Sequence, residues 1–235
     1  LIGTRPVVRV HASEETKRLD RFSDHVERLV AGGIERGATL VAIGGGVVQD
    51  IACFIAGTLF RGVRWAFYPT TLLAQADSCI GSKSSVNVGP YKNLLGTFTP
   101  PERVVLDTAF LGTLQEQDVR SGVGEMLKVH LIQGAEAFAE IAQDYERLFN
   151  EPTVLHRYVR QSLEIKKRFV EEDEFDRGPR NVLNYGHSFG HAIESATDFG
   201  MPHGIAVTVG MDMANFVACR LGRIPESEYE RIHSV

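Results

Sequence analysis

The chain has 235 residues, of which 43% are apolar and 23% charged, values typical of a globular protein and unlike those of a disordered or fibrous one. Its 25 basic and 30 acidic side chains leave a net charge of −5, which argues against nucleic acid as the main partner but allows a small anionic ligand bound by a local basic cluster. No apolar run is long enough for a transmembrane helix, no signal-peptide pattern opens the chain, and three cysteines make no disulfide framework, so we expect a cytoplasmic protein without a membrane partner.

The first half of the chain alternates strand-like and helix-like segments, the pattern of a parallel sheet covered by helices. A continuous apolar run at 39–43 predicts a strand buried on both faces of that sheet. The predicted elements are, in order, a strand at 5–10, a helix that ends at Gly32-Gly33, a strand at 39–43, a helix at 47–60, and strands at 64–68 and 103–106.

The second half reads as helices alone, with segments at 119–133, 135–149, 154–170, 182–197 and 205–221. We therefore predict an α/β, Rossmann-like nucleotide-binding domain at 1–114 and an all-α domain at 115–235. The chain does not begin with Met and stops within a helix-like segment. We accordingly expect a fragment that lacks the first strands of one domain and the end of the other.

Three consecutive glycines stand between a predicted strand and a predicted helix. Gly44-Gly45-Gly46 could place a backbone turn against a pyrophosphate, with the amide groups of the helix N-terminus directed at it. The triplet does not match the GxGxxG fingerprint, and a tight strand-to-helix turn explains it equally well. Asp50, in the first turn of the helix, favours a hydroxyl or ammonium partner over a phosphate.

The helical half contains a set of candidate metal ligands. His187 and His191 are four residues apart, on one face of a helix, and His203 opens the next helix. Glu125 also falls at a helical position. Two imidazoles and one carboxylate leave an open coordination position, which a catalytic Zn²⁺ requires. Spacing alone does not decide which two of the three histidines bind the metal, and any one of them alone would be an ordinary polar residue.

Basic side chains near glycine-rich turns and near the candidate metal helices could bind an anion, although single lysines usually just solvate a surface. Cys79 has no base tied to it by sequence pattern, so we interpret it as a small buried thiol and not as a nucleophile. The basic candidates are Arg61, Lys83, Lys92, Lys128, Lys166 and Arg180, with Asn93 and Asn184 close by.

Six segments together make the sequence similar to a known family. In order along the chain they are Ile43-Gly44-Gly45-Gly46-Val47-Val48-Gln49-Asp50, Pro69-Thr70-Thr71-Leu72-Leu73, Asp77-Ser78-Cys79-Ile80-Gly81-Ser82-Lys83, Lys92-Asn93-Leu94-Leu95-Gly96, Ser121-Gly122-Val123-Gly124-Glu125 and the run from Asn184 to Glu194. They resemble the 3-dehydroquinate synthase family of sugar-phosphate cyclases in order and nearly in spacing, over essentially the whole chain.

The resemblance implies a carbon–oxygen lyase of the shikimate pathway of aromatic amino-acid biosynthesis, which depends on NAD and on a divalent metal. Zn²⁺ is the favoured metal and Co²⁺ a substitute. In the family, NAD⁺ transiently oxidises a hydroxyl of 3-deoxy-D-arabino-heptulosonate 7-phosphate (DAHP), phosphate leaves, the ketone is reduced again, and an intramolecular aldol step closes the ring. The expected partners are a sugar phosphate and a second copy of the chain in a homodimer.

The resemblance also assigns roles to residues of this sequence. The implied metal ligands are Glu125, His187 and His203, and the implied catalytic groups are His191, Lys83, Lys128, Asp77, Arg180 and Asn184. The implied substrate-binding residues are Lys92, Asn93, Lys166 and Arg61, the last contributed by the neighbouring subunit. The implied NAD contacts are Glu14, Lys17, Gly45, Gly46, Asp50, Thr70, Thr71, Phe110 and Thr113.

The sequence departs from the family's pattern at several positions. Ile205 stands two residues after His203, where the family usually has Glu, and Asp176 where Glu is frequent. Gln49 replaces a usual Gly, and Cys79 and Ser82 replace a common Ser and Gly.

Three alternatives follow. One is a related cyclase of secondary metabolism, of the amino-dehydroquinate or 2-deoxy-scyllo-inosose type, for which Ile205, Cys79 and Ser82 are signs of divergence. It is disfavoured by Arg180 and Asn184, because the inosose- and valiolone-type relatives, whose substrates lack a carboxylate, tend to carry other residues there. The second is a metal-dependent polyol dehydrogenase, whose neutral substrate does not require so many basic groups. The third is a non-catalytic chain that binds NAD or a partner.

Overall fold

A computed structural model describes residues 3, 5–198 and 200–235. The chain divides into two compact units. The first comprises the described residues up to Thr70 together with Ser78–Asp107, and the second comprises Thr71–Asp77 and Thr108–Val235. No helix among the described residues combines the length and the apolar character needed to cross a membrane.

Unit 1 is built on a small parallel sheet. Strands β1 (Thr39–Gly44), β2 (Arg64–Pro69) and β5 (Arg103–Val104) pair in the order β1-β2-β5, all parallel. Between β1 and β2 runs helix α2 (Gly46–Thr58), so the predicted strand–helix–strand unit is confirmed. Helix α1 (Phe22–Ala31) precedes β1 and ends before Gly32-Gly33, also as predicted.

The core of unit 1 lies where α1 and α2 meet. Phe22 of α1 packs with Ile51, Ile55 and Leu59 and with Val86 from the next part of the unit, all of them buried. These apolar positions recur at helical spacing along α1 and α2, which is why the sequence pattern located both helices correctly.

Two expectations for unit 1 are wrong. Residues 6–10 form no strand, and the carbonyl of Arg9 accepts a hydrogen bond from the Arg28 side chain where a sheet partner would have donated one. Strand β1 is not buried on both faces, because Val41 is 49% exposed on one face while Ala42 is buried on the other. A continuous apolar run does not reveal whether anything covers the second face of a strand.

A hairpin that the sequence pattern did not predict completes unit 1. Strands β3 (Val86–Val88) and β4 (Tyr91–Leu95) pair antiparallel, and Gly89 turns between them with a φ of 55°. Tyr91 is 65% exposed, so this strand lacks the half-buried alternation by which a strand is recognised.

Unit 2 contains helices and no strand among its described residues, which agrees with the prediction. Two predicted boundaries are wrong: the segment at 135–149 is two helices, and the one at 182–197 begins only at His187, because Gly186 adopts a φ of 79°. Its helices are α3 (Glu116–Gln133), α4 (Ala135–Gln143), α5 (Arg147–Asn150), α6 (Pro152–Glu172), α7 (His187–Ala196), α8 (His203–Arg220) and α9 (Glu226–His233).

Two helices of unit 2 approach each other closely enough to exclude any side chain at their crossing. A Cβ on Gly204 of α8 would lie 1.8 Å from the carbonyl oxygen of Ser121 on α3, and one on Gly124 would lie 2.5 Å from the carbonyl oxygen of Gly204. The Ser121 hydroxyl accepts a hydrogen bond from the Gly204 amide at 2.9 Å. Because Glu125 and His203 are the immediate neighbours of these glycines, the crossing brings their side chains together.

Replacing Gly204 by alanine should destabilise unit 2 by about 3 kcal/mol or more and weaken metal binding. The atoms that the new Cβ would meet belong to the backbone of Ser121, so the two helices would have to separate. Urea unfolding followed by far-UV circular dichroism measures the loss. Gly112→Ala is the control, since a Cβ at Gly112 would meet no atom within 4 Å. Equal stability of the two variants would contradict the packing argument.

Candidate functional site

Three histidines from two helices of unit 2 converge. His187 and His191 lie on one face of α7 with ring centroids 5.2 Å apart, and His203 at the start of α8 lies 5.3 Å from His187 and 5.9 Å from His191. His203 is brought to the other two because α8 packs directly on α7 through the glycines Gly186, Gly190 and Gly210.

Helix α3 adds a buried carboxylate to this group. Glu125 is 1% exposed, and its Oε2 accepts a 2.5 Å hydrogen bond from Lys128 Nζ. Its other oxygen, Oε1, is buried without a hydrogen-bond partner among the described residues and lies 3.7 Å from His203 Nε2. Potential ligand atoms of Glu125, His187 and His203 all lie within 4.8 Å of one another.

The two histidines nearest Glu125 differ in electrostatic environment. Burial, with the positive charge of Lys128 beside it, lowers the pKa of His187 to about 4, so this imidazole is neutral at pH 7. Burial also disfavours the charged form of His203, but the hydrogen bond to Glu194 and the negative charge of Glu125 outweigh it and raise the pKa of His203. The position between the two carboxylates therefore favours a cation.

The arrangement fits a divalent metal ion. A buried carboxylate oxygen without a partner is costly unless something positive binds it. A neutral imidazole at His187, a carboxylate at Glu125 and a third ligand at His203 form the two-histidine, one-carboxylate set that suits Zn²⁺ and leaves a position open. A second possible set, His191, Glu194 and His203, shares His203 with the first and includes the more exposed His191.

Within unit 2, basic and acidic side chains alternate from Glu125 to Lys128, Asp77 and Lys166. Burial opposes the charged form of Lys128, yet Glu125 and Asp77 raise its pKa, so it remains an ammonium group. Lys166 of α6 pairs with the Asp77 carboxylate at 2.9 Å and donates to the Asp77 carbonyl at 2.8 Å. The structure thus brings together four of the predicted residues, two lysines and two carboxylates, beside the histidines.

Arg180 and Asn184 lie in a 3₁₀ turn (Pro179–Asn184) that precedes α7. Arg180 is buried, and its Nη1 donates to the carbonyl of Glu174 at 2.6 Å. Asn184 is exposed, with its amide 3.4 Å from the Asn181 side chain. Asp173 organises this loop, because its carboxylate accepts hydrogen bonds from the backbone amides of 177, 178 and 180.

Sequence patterns did not identify two residues that organise this region, Asp173 and Glu194. Glu194 is 5% exposed and lies 3.3 Å from His203 Nδ1. Its position seven residues after His187 and three after His191 places it on the same helical face, a spacing that could have identified it. Asp173 gave no comparable signal, since its role depends on the turn that follows it.

Unit 1 presents a strand, a glycine turn and a helix N-terminus in succession. Strand β1 ends at Gly44, Gly45 precedes the helix, and α2 begins at Gly46. A Cβ on Gly46 would meet no atom within 4 Å, so the helix N-terminus is open to a ligand at this point. A Cβ on Gly44 would instead lie 2.5 Å from the Val48 side chain, so glycine there serves packing.

A polar network centred on Lys17 lies beside this helix. Lys17 is buried and pairs with Asp50 at 2.8 Å, as the ammonium partner expected for Asp50. It also lies 3.5 Å from Glu14 and donates to Asn93 at 3.2 Å. Asn87 also belongs to this network. Its side-chain oxygen accepts a hydrogen bond from the backbone N–H of Asn93, and its side-chain NH₂ group donates to the Glu14 carboxylate. Three of the nine predicted cofactor residues, Glu14, Lys17 and Asp50, are therefore held in one cluster with Asn93.

The other predicted residues are placed as follows. The Lys92 ammonium group lies 4.0 Å from the Glu14 carboxylate. The backbone of Lys83 forms an isolated antiparallel β-bridge with that of Phe98 in unit 1. Arg61 is exposed in a turn at the end of α2, and the Thr70 amide donates to Gly44 in the first unit. In unit 2, the Thr71 hydroxyl accepts from the Ala74 amide, and Thr113 donates to the carbonyl of Phe110 within a 3₁₀ turn.

Three of the departures from the family's pattern have a structural counterpart. Gln49 is buried and forms two hydrogen bonds with Ser78. Its side-chain NH₂ group donates to the Ser78 carbonyl, and its side-chain oxygen accepts from the Ser78 hydroxyl. Ser82 has a φ of 64°, a conformation in which glycine costs less than any other residue. Cys79 is 2% exposed, which confirms that it is a buried thiol. Nothing in the structure explains Ile205.

Asp50 should make the stability of unit 1 fall between pH 4 and pH 6. Burial raises the pKa of Asp50 from 3.8 to about 6, against the opposing effect of Lys17. Because the folded state binds this proton more tightly than the unfolded one, the stability that Asp50 contributes is fully present below pH 4 and is lost as pH rises to 6. The free energy of unfolding of the wild type, relative to Asp50→Asn, should decrease by about 2–3 kcal/mol across this range. Fluorescence of Trp65, the single tryptophan, buried in unit 1, reports the unfolding. A difference independent of pH would contradict the prediction.

Comparison with known proteins identifies the family. A family model described as 3-dehydroquinate synthase N-terminal matches residues 7–121, and one described as 3-dehydroquinate synthase C-terminal matches residues 122–235. The chain belongs to the 3-dehydroquinate synthase family. The 3-dehydroquinate synthase of Acidithiobacillus ferrooxidans is 43% identical to it over 226 residues, which are 95% of this chain and 62% of that relative.

Solved structures agree with membership of the 3-dehydroquinate synthase family. The 2-epi-5-epi-valiolone synthase of Streptomyces hygroscopicus, with NAD⁺ and Zn²⁺ bound, superposes with a TM-score of 0.89 at 30% identity over 96% of this chain and 64% of that one. A 2-deoxy-scyllo-inosose synthase complexed with carbaglucose-6-phosphate, NAD⁺ and Co²⁺ gives 0.85 at 32% identity over 96% and 62%. The predicted fold class is confirmed. The chain spans less than two thirds of the length of the curated relatives.

Proposed function

We propose that the protein catalyses the 3-dehydroquinate synthase reaction, in which DAHP loses phosphate and closes to 3-dehydroquinate. The observation that carries this proposal is the convergence of Glu125, His187 and His203 in a chain of this family. The NAD⁺ and the Zn²⁺ or Co²⁺ held by the two solved relatives support the same cofactors here. The activity would place the protein in the shikimate pathway.

Glu125, His187 and His203 would hold the divalent metal. When bound, the metal would polarise neighbouring substrate hydroxyl groups and lower the cost of negative charge on their oxygens. Lys128 remains an ammonium group at neutral pH and would stabilise that charge from the protein side. His191 is 55% exposed beside this cluster, which leaves its ring accessible for proton transfer or for orienting the substrate.

Unit 1 would bind the dinucleotide. The open N-terminus of α2 at Gly46 suits a pyrophosphate, and the Lys17–Asp50–Glu14 cluster offers charged and hydrogen-bonding groups to the rest of the cofactor. NAD would supply a hydride acceptor that returns the hydride within the same cycle, so no net oxidation results. The roles of Thr70, Thr71, Phe110 and Thr113 toward NAD stay predictions, as do those of Lys83, Lys92, Asn93 and Arg61 toward the substrate.

Arg180 supports a substrate that carries a carboxylate. Its guanidinium is buried, and the loop that carries it is fixed by the hydrogen bonds of Asp173. A buried arginine suits bidentate recognition of a carboxylate, which DAHP has and a hexose phosphate lacks. A metal-dependent polyol dehydrogenase has less support, because a neutral polyol does not need the buried Lys128, Lys166 and Arg180.

Replacing Arg180 by lysine should lower kcat/KM for DAHP about 10–100-fold, because a lysine ammonium cannot reproduce the bidentate pair. Steady-state kinetics measure the effect. Arg177→Lys, at an exposed position of the same loop, is the matched control and should be unchanged. Full activity of Arg180→Lys would argue against a carboxylate partner for Arg180.

The proposal includes a cytoplasmic homodimer. Arg61 is exposed at the end of α2, as required if it contributes to the site of a neighbouring subunit. Sedimentation equilibrium tests the assembly, and a monomer at every concentration would remove this part of the proposal while leaving the activity to be measured separately.

Phosphate release from DAHP tests the proposed activity directly. The purified chain is supplied with Zn²⁺, with and without NAD⁺, and both phosphate and NADH are monitored. We expect phosphate release that requires NAD⁺ and leaves no NADH behind. Net NADH formation with a polyol would favour a dehydrogenase instead.

A parallel assay with a hexose 6-phosphate tests the related cyclases of secondary metabolism. Release from that substrate and not from DAHP would favour such a cyclase. A chain that binds NAD and zinc but turns over neither sugar phosphate would overturn the catalytic proposal.

A further inference from the structure

Glu194 is a buried carboxylate to which the proposed reaction gives no role. It lies on the face of α7 that carries His187 and His191, and its side chain is 6% exposed. A carboxylate in such a position costs free energy unless a positive or hydrogen-bonding group compensates it. The compensating group is His203 of α8, whose Nδ1 lies 3.3 Å from Glu194 Oε2.

His203 thus has a carboxylate from a different helix facing each of its ring nitrogens. Glu194 faces Nδ1, while Nε2 faces Oε1 of Glu125 at 3.7 Å. Because a carboxylate only accepts hydrogen bonds, the contact with Glu194 requires a hydrogen on Nδ1. A neutral His203 in this contact carries its lone pair on Nε2, directed at Glu125, which is the tautomer that binds a metal through Nε2.

We infer that Glu194 is the positioning residue of the metal centre: it fixes the tautomer and the ring orientation of His203 and makes His203 the stronger ligand. The inference rests on the proposed metal site. His187 provides the contrast, because its Nδ1 lies 3.2 Å from the backbone carbonyl of Tyr185. Of the two proposed histidine ligands, His203 therefore depends on a replaceable side chain, and a charged partner raises imidazole basicity more than a neutral carbonyl does.

A competing role for Glu194 would be to serve His191, whose Nε2 lies 4.0 Å from the same oxygen. In that case the loss of Glu194 would change proton transfer during turnover and leave metal affinity as it is. Metal affinity, measured without any substrate, therefore separates the two roles.

The test is a competition titration of Zn²⁺ with a chromophoric chelator, using the full chain after metal removal. We expect Glu194→Ala to bind Zn²⁺ about 10–100-fold more weakly than the wild type. Glu194→Gln retains an acceptor without the charge and should fall between the two. Glu164→Gln, at an exposed position on α6 where Glu164 pairs with Arg160, is the control and should match the wild type.

The visible absorption spectrum of the Co²⁺-loaded protein gives a second readout that stability alone would not move. We expect the band positions and intensities to change in both Glu194 variants, since His203 is no longer held in one orientation. Far-UV circular dichroism without metal verifies that the variants are folded. The near-isosteric Glu194→Gln is the decisive variant because it preserves the packing.

Wild-type zinc affinity and an unchanged Co²⁺ spectrum in folded Glu194→Gln and Glu194→Ala would overturn the inference and leave the metal site intact. Failure of the wild-type chain to bind Zn²⁺ would overturn the site and the inference together. Neither result depends on whether DAHP is the substrate.

Discussion

Replacing Glu125 by glutamine should reduce zinc affinity by more than the factor of about 10–100 that loss of an outer partner costs, because a neutral amide replaces a ligand carboxylate. The side chain keeps its volume, and its amide oxygen can still accept from Lys128, so the helix crossing is preserved. In the wild type, Zn²⁺ at about 1,000 times its dissociation constant should stabilise the fold by about 4 kcal/mol. Urea unfolding with and without Zn²⁺ should show this increment in the wild type and, at the same Zn²⁺ concentration, an increment below about 1.4 kcal/mol in Glu125→Gln, as expected for a loss of affinity of more than about 100-fold.

The matched control is Glu116→Gln on the same helix. Glu116 is 74% exposed and pairs with Arg120 at the surface, so its loss should change neither the zinc increment nor the stability by more than about 0.5 kcal/mol. Undiminished zinc affinity in Glu125→Gln would exclude Glu125 as a ligand. The metal would then belong to the second set, His191, Glu194 and His203.

The sequence predicted those parts of the fold that depend on local pattern. The apolar run of β1, the glycine turn and α2 follow one another along the chain, and each has a short-range signal in strand burial, turn chemistry or helical spacing. The placement of His187 and His191 on one face of α7 is equally local. What covers each face of β1 depends on distant parts of the chain, and for that reason the expectation of burial on both faces was wrong.

Contacts between distant residues were beyond local pattern. Glu125 and His203 lie close together because Gly124 and Gly204 allow the backbones of α3 and α8 to touch. The residue spacing within either segment does not indicate that the two helices cross. The choice of His187 and His203 over His191 came from family resemblance, and the geometry of Glu125 Oε1 gives it a physical basis. The pairs Lys17–Asp50 and Lys166–Asp77 are likewise products of the fold.

Replacing Lys166 by methionine should destabilise unit 2 by about 3–5 kcal/mol at pH 7, because the Asp77 carboxylate would lose its nearest compensating charge. Burial alone would raise the pKa of Asp77, but the ammonium groups of Lys166 and Lys128 outweigh it and hold the pKa at about 2, below the usual 3.8. The stability that Asp77 contributes is therefore present above pH 4 and lost as pH falls to 2. Urea unfolding followed by far-UV circular dichroism measures it.

The pH dependence distinguishes a lost ion pair from lost packing. Without Lys166 the effect of burial dominates, so the pKa of Asp77 should rise and the penalty of the variant should shrink as Asp77 becomes protonated at low pH. Asp77→Asn combined with Lys166→Met should recover much of the loss at pH 7, since no buried charge is then left without a partner. Lys167→Met, at an exposed neighbouring position where Lys167 pairs with Glu171, should be close to neutral. A loss of stability of equal size from pH 3 to pH 7 would mean that Lys166 stabilises unit 2 through packing and not through its charge. The buried charges would then serve the substrate that they are proposed to bind.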